Sequence, residues 1–277
     1  MGIHPVCTRR HMLGQSLGGL LAAGLWPGAL VGRDAEVPSE IAFLVVNDLH
    51  YRDQRCGPWL ESVVQQIRKR PETIDFCLVA GDLTENGTPE QMAAVRDILK
   101  AVGKPLHVVV GNHDYRSDDD RRPFEEAFPK SLNYSFKHRD WQFVCLDSSE
   151  ARRAQVSVQG PTLRWLDDNL PKLAPGRPTV ICTHFPLGPW VPMRVTNAEQ
   201  VLERFKAFNL QAVFNGHFHG FTERRLNGTT LTTNRCCSFS RANHDGTVAK
   251  GYFLCRARDG KIEREFIEAP PIPAHPK

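Results

Sequence analysis

This chain lacks the cysteine spacings that would organise a small fold. Its cysteines stand at Cys7, Cys56, Cys77, Cys145, Cys182, Cys236, Cys237 and Cys255, with no C-x-x-C pair and no zinc-knuckle spacing. That excludes a thiolate-rich structural zinc module, and Cys77, Cys145 and Cys182 sit inside apolar runs as small hydrophobes do. Beyond the N-terminal stretch no apolar run approaches the length of a membrane span, so the mature chain is expected to have none. A strong charge of one sign is missing too. The formal net charge is +4, and Arg9 and Arg10 supply two of those charges, so nucleic acid is not an expected partner. Internal repeats and dividing linkers are absent as well. What remains is ordinary globular composition, 41% hydrophobic and 24% charged over 277 residues, enough to bury a sizeable core.

The N-terminal stretch has a pattern of its own. Thr8-Arg9-Arg10-His11-Met12-Leu13 precedes a glycine-diluted apolar stretch from Gly14 to Leu25, which resembles a twin-arginine export signal. The resemblance implies a signal peptide and linker over residues 1–35, the twin-arginine export machinery as partner of the precursor, and a periplasmic or secreted product. Because that route exports folded chains, such an address requires no disulfide framework.

Five apolar runs order the body of the chain. Ile41 to Val46, Phe76 to Ala80, the run from Leu106, Thr179 to Cys182 and Gln211 to Phe214 show no polar alternation, as strands buried on both faces do. Helical patterns from about Trp59 to Arg70, from Thr88 to about Val102 and from Ala198 to about Phe208 separate several of them. Asn227-Gly228 and Asp259-Gly260 each mark a hairpin. The stretch from Tyr115 to Pro129 reads as charged, broken and solvated.

Each run stops at a short polar segment. The first ends in Asp48 and His50, the second in Gly81-Asp82, the third in Gly111-Asn112-His113-Asp114, the fourth in His184, and the fifth in Gly216-His217-Phe218-His219. Taken alone, GNHD is either a tight turn with a surface histidine or a metal ligand beside a proton donor whose ring Asp114 holds. Five strand ends together favour a site, because open α/β sheets place theirs at the carboxyl ends of strands. Asp48 and His50 are two residues apart, as are His217 and His219, so extended backbone would point each pair to one side. Seven oxygen and nitrogen ligands suit two cations better than one closed zinc.

These motifs, DxH, GD, GNHD, a lone histidine and GHxH in that order, resemble the calcineurin-like metallophosphoesterases. The resemblance implies an α/β fold, a four-layer αββα sandwich of two mixed sheets flanked by helices, formed by one domain over residues 36–277. It implies two divalent ions, Mn, Fe or Zn. Asp48, His50, Asp82 and His219 would hold the first, and Asp82, Asn112, His184 and His217 the second. It further implies a small phosphoester substrate, in-line attack by a metal-bridging hydroxide, and His113 with Asp114 as the catalytic pair. Two divalent ions, two aspartates and one hydroxide leave a charge of roughly +1, attractive to a phosphodiester anion. Glu85 stands where purple acid phosphatases carry the tyrosine of GDxxY, which argues against a tyrosinate-bound ferric ion. His113 replaces the arginine of UDP-diacylglucosamine hydrolases. What remains resembles the bacterial cyclic-nucleotide and glycerophosphodiester phosphodiesterases. A phosphomonoesterase and a non-catalytic metal-binding protein of the same fold are the alternatives.

Overall fold

Short runs that are apolar at every position need cover on both faces, and the architecture provides it. The computed structural model describes residues 40–271, so the twin-arginine-type stretch and residues 272–277 lie outside the described residues. In chain order, β1 (Ile41–Val46), α1 (Gly57–Arg68), β2 (Phe76–Ala80), α2 (Pro89–Lys100), β3 (Leu106–Val109) and α3 (Arg122–Ala127) come first. They are followed by β4 (Tyr134–His138), β5 (Trp141–Leu146), α4 (Gly160–Asn169), β6 (Thr179–Thr183), α5 (Ala198–Arg204) and β7 (Leu210–Asn215). Two hairpins complete the chain, β8 (Thr222–Leu226) with β9 (Thr229–Thr233) and β10 (Gly251–Arg258) with β11 (Lys261–Glu268).

The strands form two mixed sheets. One has the order β11-β10-β1-β2-β3, with β1, β2 and β3 parallel; the other has β4-β5-β6-β7-β9-β8, with β5, β6, β7 and β9 parallel. Alternate residues of both sheets meet in the middle layer, where Phe43, Phe76 and Leu78 pack with Phe143, Val180 and Phe214. Phe43 stacks on Phe76 at 5.2 Å and meets Phe143 edge-on at 5.6 Å. The outer face of the first sheet is covered from α1, α2 and α3 by Trp59, Val63, Val95 and Phe124, and that of the second from α4 and α5 by Leu166 and Val201. The result is the four-layer arrangement of two mixed sheets between helices.

Register sets where the strands stop. Val46 lies opposite Val79, Ala80 opposite Val109, and Leu146, Thr183 and Asn215 pair in sequence. The parallel strands therefore end almost level, at one edge of the sandwich.

Local chemistry explains most boundaries. Pro89 occupies the first turn of α2, and the Thr88 hydroxyl accepts from the Gln91 amide, closing the helix start. Asn227 and Gly228 both take positive φ, as do Asp259 and Gly260, which gives the tight turns that match strand twist. The charged stretch after Tyr115 is not wholly solvated. Phe124 is fully buried and anchors α3, with Pro123 in its first turn. The last patterned helix ends at Arg204, short of Phe208, because Phe205 is buried against the second sheet while the chain turns beneath it.

Candidate metal centre

At the level edge, the segments after β1, β2, β3, β6 and β7 bring their polar side chains together. Asp48, His50, Asp82 and His219 form one buried group whose candidate ligand atoms lie within 4.8 Å of one another, and Asp82, His184 and His217 form a second. Asp82 belongs to both. Its Oδ2 stands 3.5 Å from His50 Nε2 and 3.3 Å from His184 Nε2, while the His113 backbone amide donates to its Oδ1 at 2.9 Å. Asn112 joins the second group, its Oδ1 lying 3.2 Å from His184 Nε2. On the other side, Asp48 Oδ1 faces His219 Nε2 at 3.2 Å.

This convergence depends on unusual backbone. Asp48, His50, Asp82, His217 and His219 have φ between 47° and 64°. Non-glycine residues there carry strain, so the pairs do not reach one side through extended strand, as their two-residue spacing suggests; they do so on left-handed residues. Gly111 is required for space. A Cβ there would meet Asp82 Oδ1 at 2.1 Å, and one at Gly81 would meet the His184 ring at 2.5 Å in a backbone already at φ +80°.

The donor set suits divalent cations on three counts. The first is tautomer. The carbonyls of Ala80, Ala154 and Ala242 can only accept, so they take the N–H of His184 Nδ1 (2.9 Å), His217 Nε2 (3.2 Å) and His219 Nδ1 (3.3 Å). The opposite nitrogen of each ring is left for a cation, or for a second proton in its place, as ligating histidines require. The second is an otherwise repulsive approach: His50 Nε2 and His219 Nε2 face each other at 3.1 Å with nothing but a shared cation or proton to join them. The third is charge. Burial would raise Asp48, but the His219 and His184 rings hold it down to about 2, and Asp82 is likewise held well below the usual range against burial by His184 and His50. Burial would lower His184 and His219, yet Asp82 chiefly raises the first to about 9 and Asp48 the second to about 11. The buried carboxylates thus demand positive charge, which metal ions can supply in place of those protons.

Comparison with known proteins decides the family. The model of the family described as "Calcineurin-like phosphoesterase" matches residues 41–221. The chain belongs to the calcineurin-like phosphoesterase family. It is 27% identical over 207 residues to glycerophosphodiester phosphodiesterase GpdQ of Enterobacter lignolyticus, covering 68% of this chain and 74% of that protein. It is 30% identical over 185 residues to a 3′,5′-cyclic-nucleotide phosphodiesterase of Nostoc sp., covering 64% of this chain and 68% of that one. Among solved structures, purple acid phosphatase from yellow lupin (Lupinus luteus) seeds shares the fold with a TM-score of 0.62 at 14% identity, over 83% of this chain and 52% of the lupin chain.

Within this phosphoesterase framework the proposed catalytic pair is arranged differently from the sequence expectation. Asp114 does not hold the ring of His113. Its carboxylate is fully buried and accepts from the backbone amides of Thr84 and Gly111, both at 2.9 Å, and from the Thr84 hydroxyl at 3.2 Å. It points into the loop and not along its neighbour. Burial, with Asp82 nearby, pushes Asp114 up to about 7. The His113 ring instead donates from Nδ1 to the Glu85 carbonyl at 2.9 Å, and it sits edge-on to His50 with ring centroids 4.8 Å apart.

Sequence reading gave no role to Glu85, Arg241 or Asn47. The Glu85 carboxylate is clasped by Arg241 and reaches His50 Nδ1 at 3.2 Å; Asn47 Nδ2 donates to Asp48 Oδ2 at 2.5 Å. An acid three residues after Asp82 was the one available signal. Arg241 had none, because only the fold brings it near; Asn47 adjoins Asp48 in the chain, and only the fold shows that its amide turns back onto that carboxylate.

Proposed function

We propose that the chain is a dinuclear-metal-dependent phosphoester hydrolase acting on a small phosphodiester. The observation that carries this reading is the pair of buried ligand groups sharing Asp82, with one nitrogen of each of three histidine rings held by a backbone carbonyl so that the other is left for a cation. Asp48, His50, Asp82 and His219 would hold one divalent cation, and Asp82, Asn112, His184 and His217 the other. When bound, the two cations supply Lewis acidity toward water and phosphate oxygen and offset the charge of the anionic ester.

In this reading the protein's own side chains contribute as follows. His113 Nδ1–H is committed to the Glu85 carbonyl, so Nε2 is the atom that exchanges a proton with the leaving oxygen. Its side chain is 24% exposed, open enough for substrate to reach, whereas the metal-facing side chains are nearly sealed. Asp114 holds the loop that carries Asn112 and His113, tying Gly111 to Thr84. Preference for a diester rests on the two relatives, whose names are those of phosphodiesterases. Export by the twin-arginine route, with residues 36–277 as the folded domain, is part of the proposal and is supported by Arg9, Arg10 and the apolar stretch after them.

The test is a comparison of matched aryl phosphate mono- and diesters after loading with manganese, zinc or iron. The expected result is faster turnover of the diester. A clear preference for the monoester would replace the diester assignment, and no turnover of either with two ions bound would overturn the catalytic reading.

A further inference from the structure

Glu85 lies outside both ligand groups that share Asp82, yet its carboxylate is in contact with one of their members. Its Oε2 lies 3.2 Å from Nδ1 of His50 as an ion-pair contact, and that buried nitrogen has no hydrogen-bond partner among the described residues. The imidazole ring stands between Glu85 and the opposite atom, Nε2, which faces Asp48, Asp82 and His219. Glu85 therefore cannot join that group as a ligand without displacing His50. Of the four outer partners of these rings it is the anion; the other three are neutral carbonyls of Ala80, Ala154 and Ala242.

The carboxylate is itself fixed. Arg241 Nε donates to Oε2 at 3.0 Å and its terminal nitrogen to Oε1, a two-pronged clasp, and the Arg241 backbone is held in turn by the Ser238 hydroxyl at 3.1 Å. The two-pronged guanidinium contact favours the charged form of the carboxylate.

We propose that the Glu85–Arg241 pair is a positioning device for His50, selecting the tautomer with its proton on Nδ1 and thereby setting the affinity of the Asp48, His50, Asp82, His219 site for its cation. A carboxylate accepting from the far nitrogen of a ligating histidine strengthens the ring as a donor, and losing such a partner weakens metal binding by about 10–100-fold. Arg241 keeps the anion aimed at the ring and not at solvent. The inference rests on the two-cation reading of the site.

The experiment is calorimetric titration of metal-free wild-type protein, Glu85→Gln and Arg241→Met with Mn²⁺, paired with the thermal midpoint of each metal-free protein and the electronic absorption of Co²⁺ bound at each site. Glu85→Gln keeps the side chain's shape and removes its charge. The expected result is two classes of site in the wild type, of which Glu85→Gln weakens one by about 10–100-fold and changes its Co²⁺ spectrum, while the other class and the metal-free midpoint stay put. Arg241→Met should weaken the same class by a smaller factor. Equal weakening of both classes with a lowered metal-free midpoint would assign the pair a purely structural role and overturn the inference. Two unaltered classes in both variants would overturn it as well, leaving the two-cation reading intact. A wild type that binds fewer than two ions would overturn that reading and the inference with it.

Discussion

His113 has one ring nitrogen tied to the Glu85 carbonyl, and its proposed role in proton transfer can be separated from metal binding because it contributes only its backbone amide to Asp82. His113→Ala keeps that amide. The variant is expected to retain its metal content and to lose about 10²–10⁴-fold in kcat on an alkyl diester, whose leaving oxygen needs a proton, with a smaller loss on an aryl diester with an acidic leaving group. Metal analysis with kcat on both esters checks it; undiminished alkyl turnover would remove His113 from the mechanism. At this scale the sequence exposed residue types and little about their partners. GNHD placed His113 beside Asp114, but neighbours in a tight turn project apart, and the ring's actual partner comes from 28 positions away.

At the scale of elements, the level parallel strands deliver the polar segments, and β3 shows what the other end of such a strand tolerates. His107 in β3 stacks on Phe136 of β4 at 3.5 Å and meets Phe76 of β2 edge-on at 5.5 Å. Burial, with the neighbouring His138, depresses its pKa from 6.5 to about 4. Between about 6.5 and about 4 the unfolded chain binds a proton that the folded one refuses, so this residue's contribution is complete above pH 6.5 and declines as pH falls toward 4. His107→Phe, which keeps the stacking, should therefore lose less stability than wild type between pH 7 and pH 4. Denaturant unfolding of both proteins across that range reads the difference, and parallel curves would refute it. Strands were the most legible elements, since apolar runs bounded by polar ends admit few alternatives: β1 and β2 run as read, and β3 starts at Leu106 as read. Helix ends were less so. α5 stops early because Phe205 is claimed by the second sheet, a tertiary preference invisible in the periodic pattern.

For the molecule as a whole, the site joins two sheets. Asp48, Asp82 and Asn112 follow strands of one, His184 and His217 strands of the other, and the buried charge between them is balanced only when cations or protons occupy it. Cation binding should thus act as a clamp on the sandwich. At a free ion concentration of 100 times the dissociation constant, one site adds about 2.7 kcal/mol, or roughly 5–10 °C in thermal midpoint for a domain of this size. Chelation is expected to lower the midpoint by about that much per site, and Asp82→Asn, which alters the carboxylate shared by both, should abolish most of the metal-dependent rise. A midpoint indifferent to chelator in the wild type would contradict the clamp.

The sequence by itself determined that five buried runs end in acidic, amide and imidazole side chains, because apolar runs and polar stops are local properties of the chain. It also determined the helix start at Thr88-Pro89 and both glycine turns, for the same reason. Only the tertiary structure decided which strands share a sheet, that Asp82 stands between the two groups, and that left-handed backbone turns Asp48, His50, His217 and His219 inward. It alone decided that the partner of the His113 ring is the Glu85 carbonyl and that Arg241 reaches across 156 positions to the same residue, since contacts between distant segments exist only once the two sheets have closed on each other.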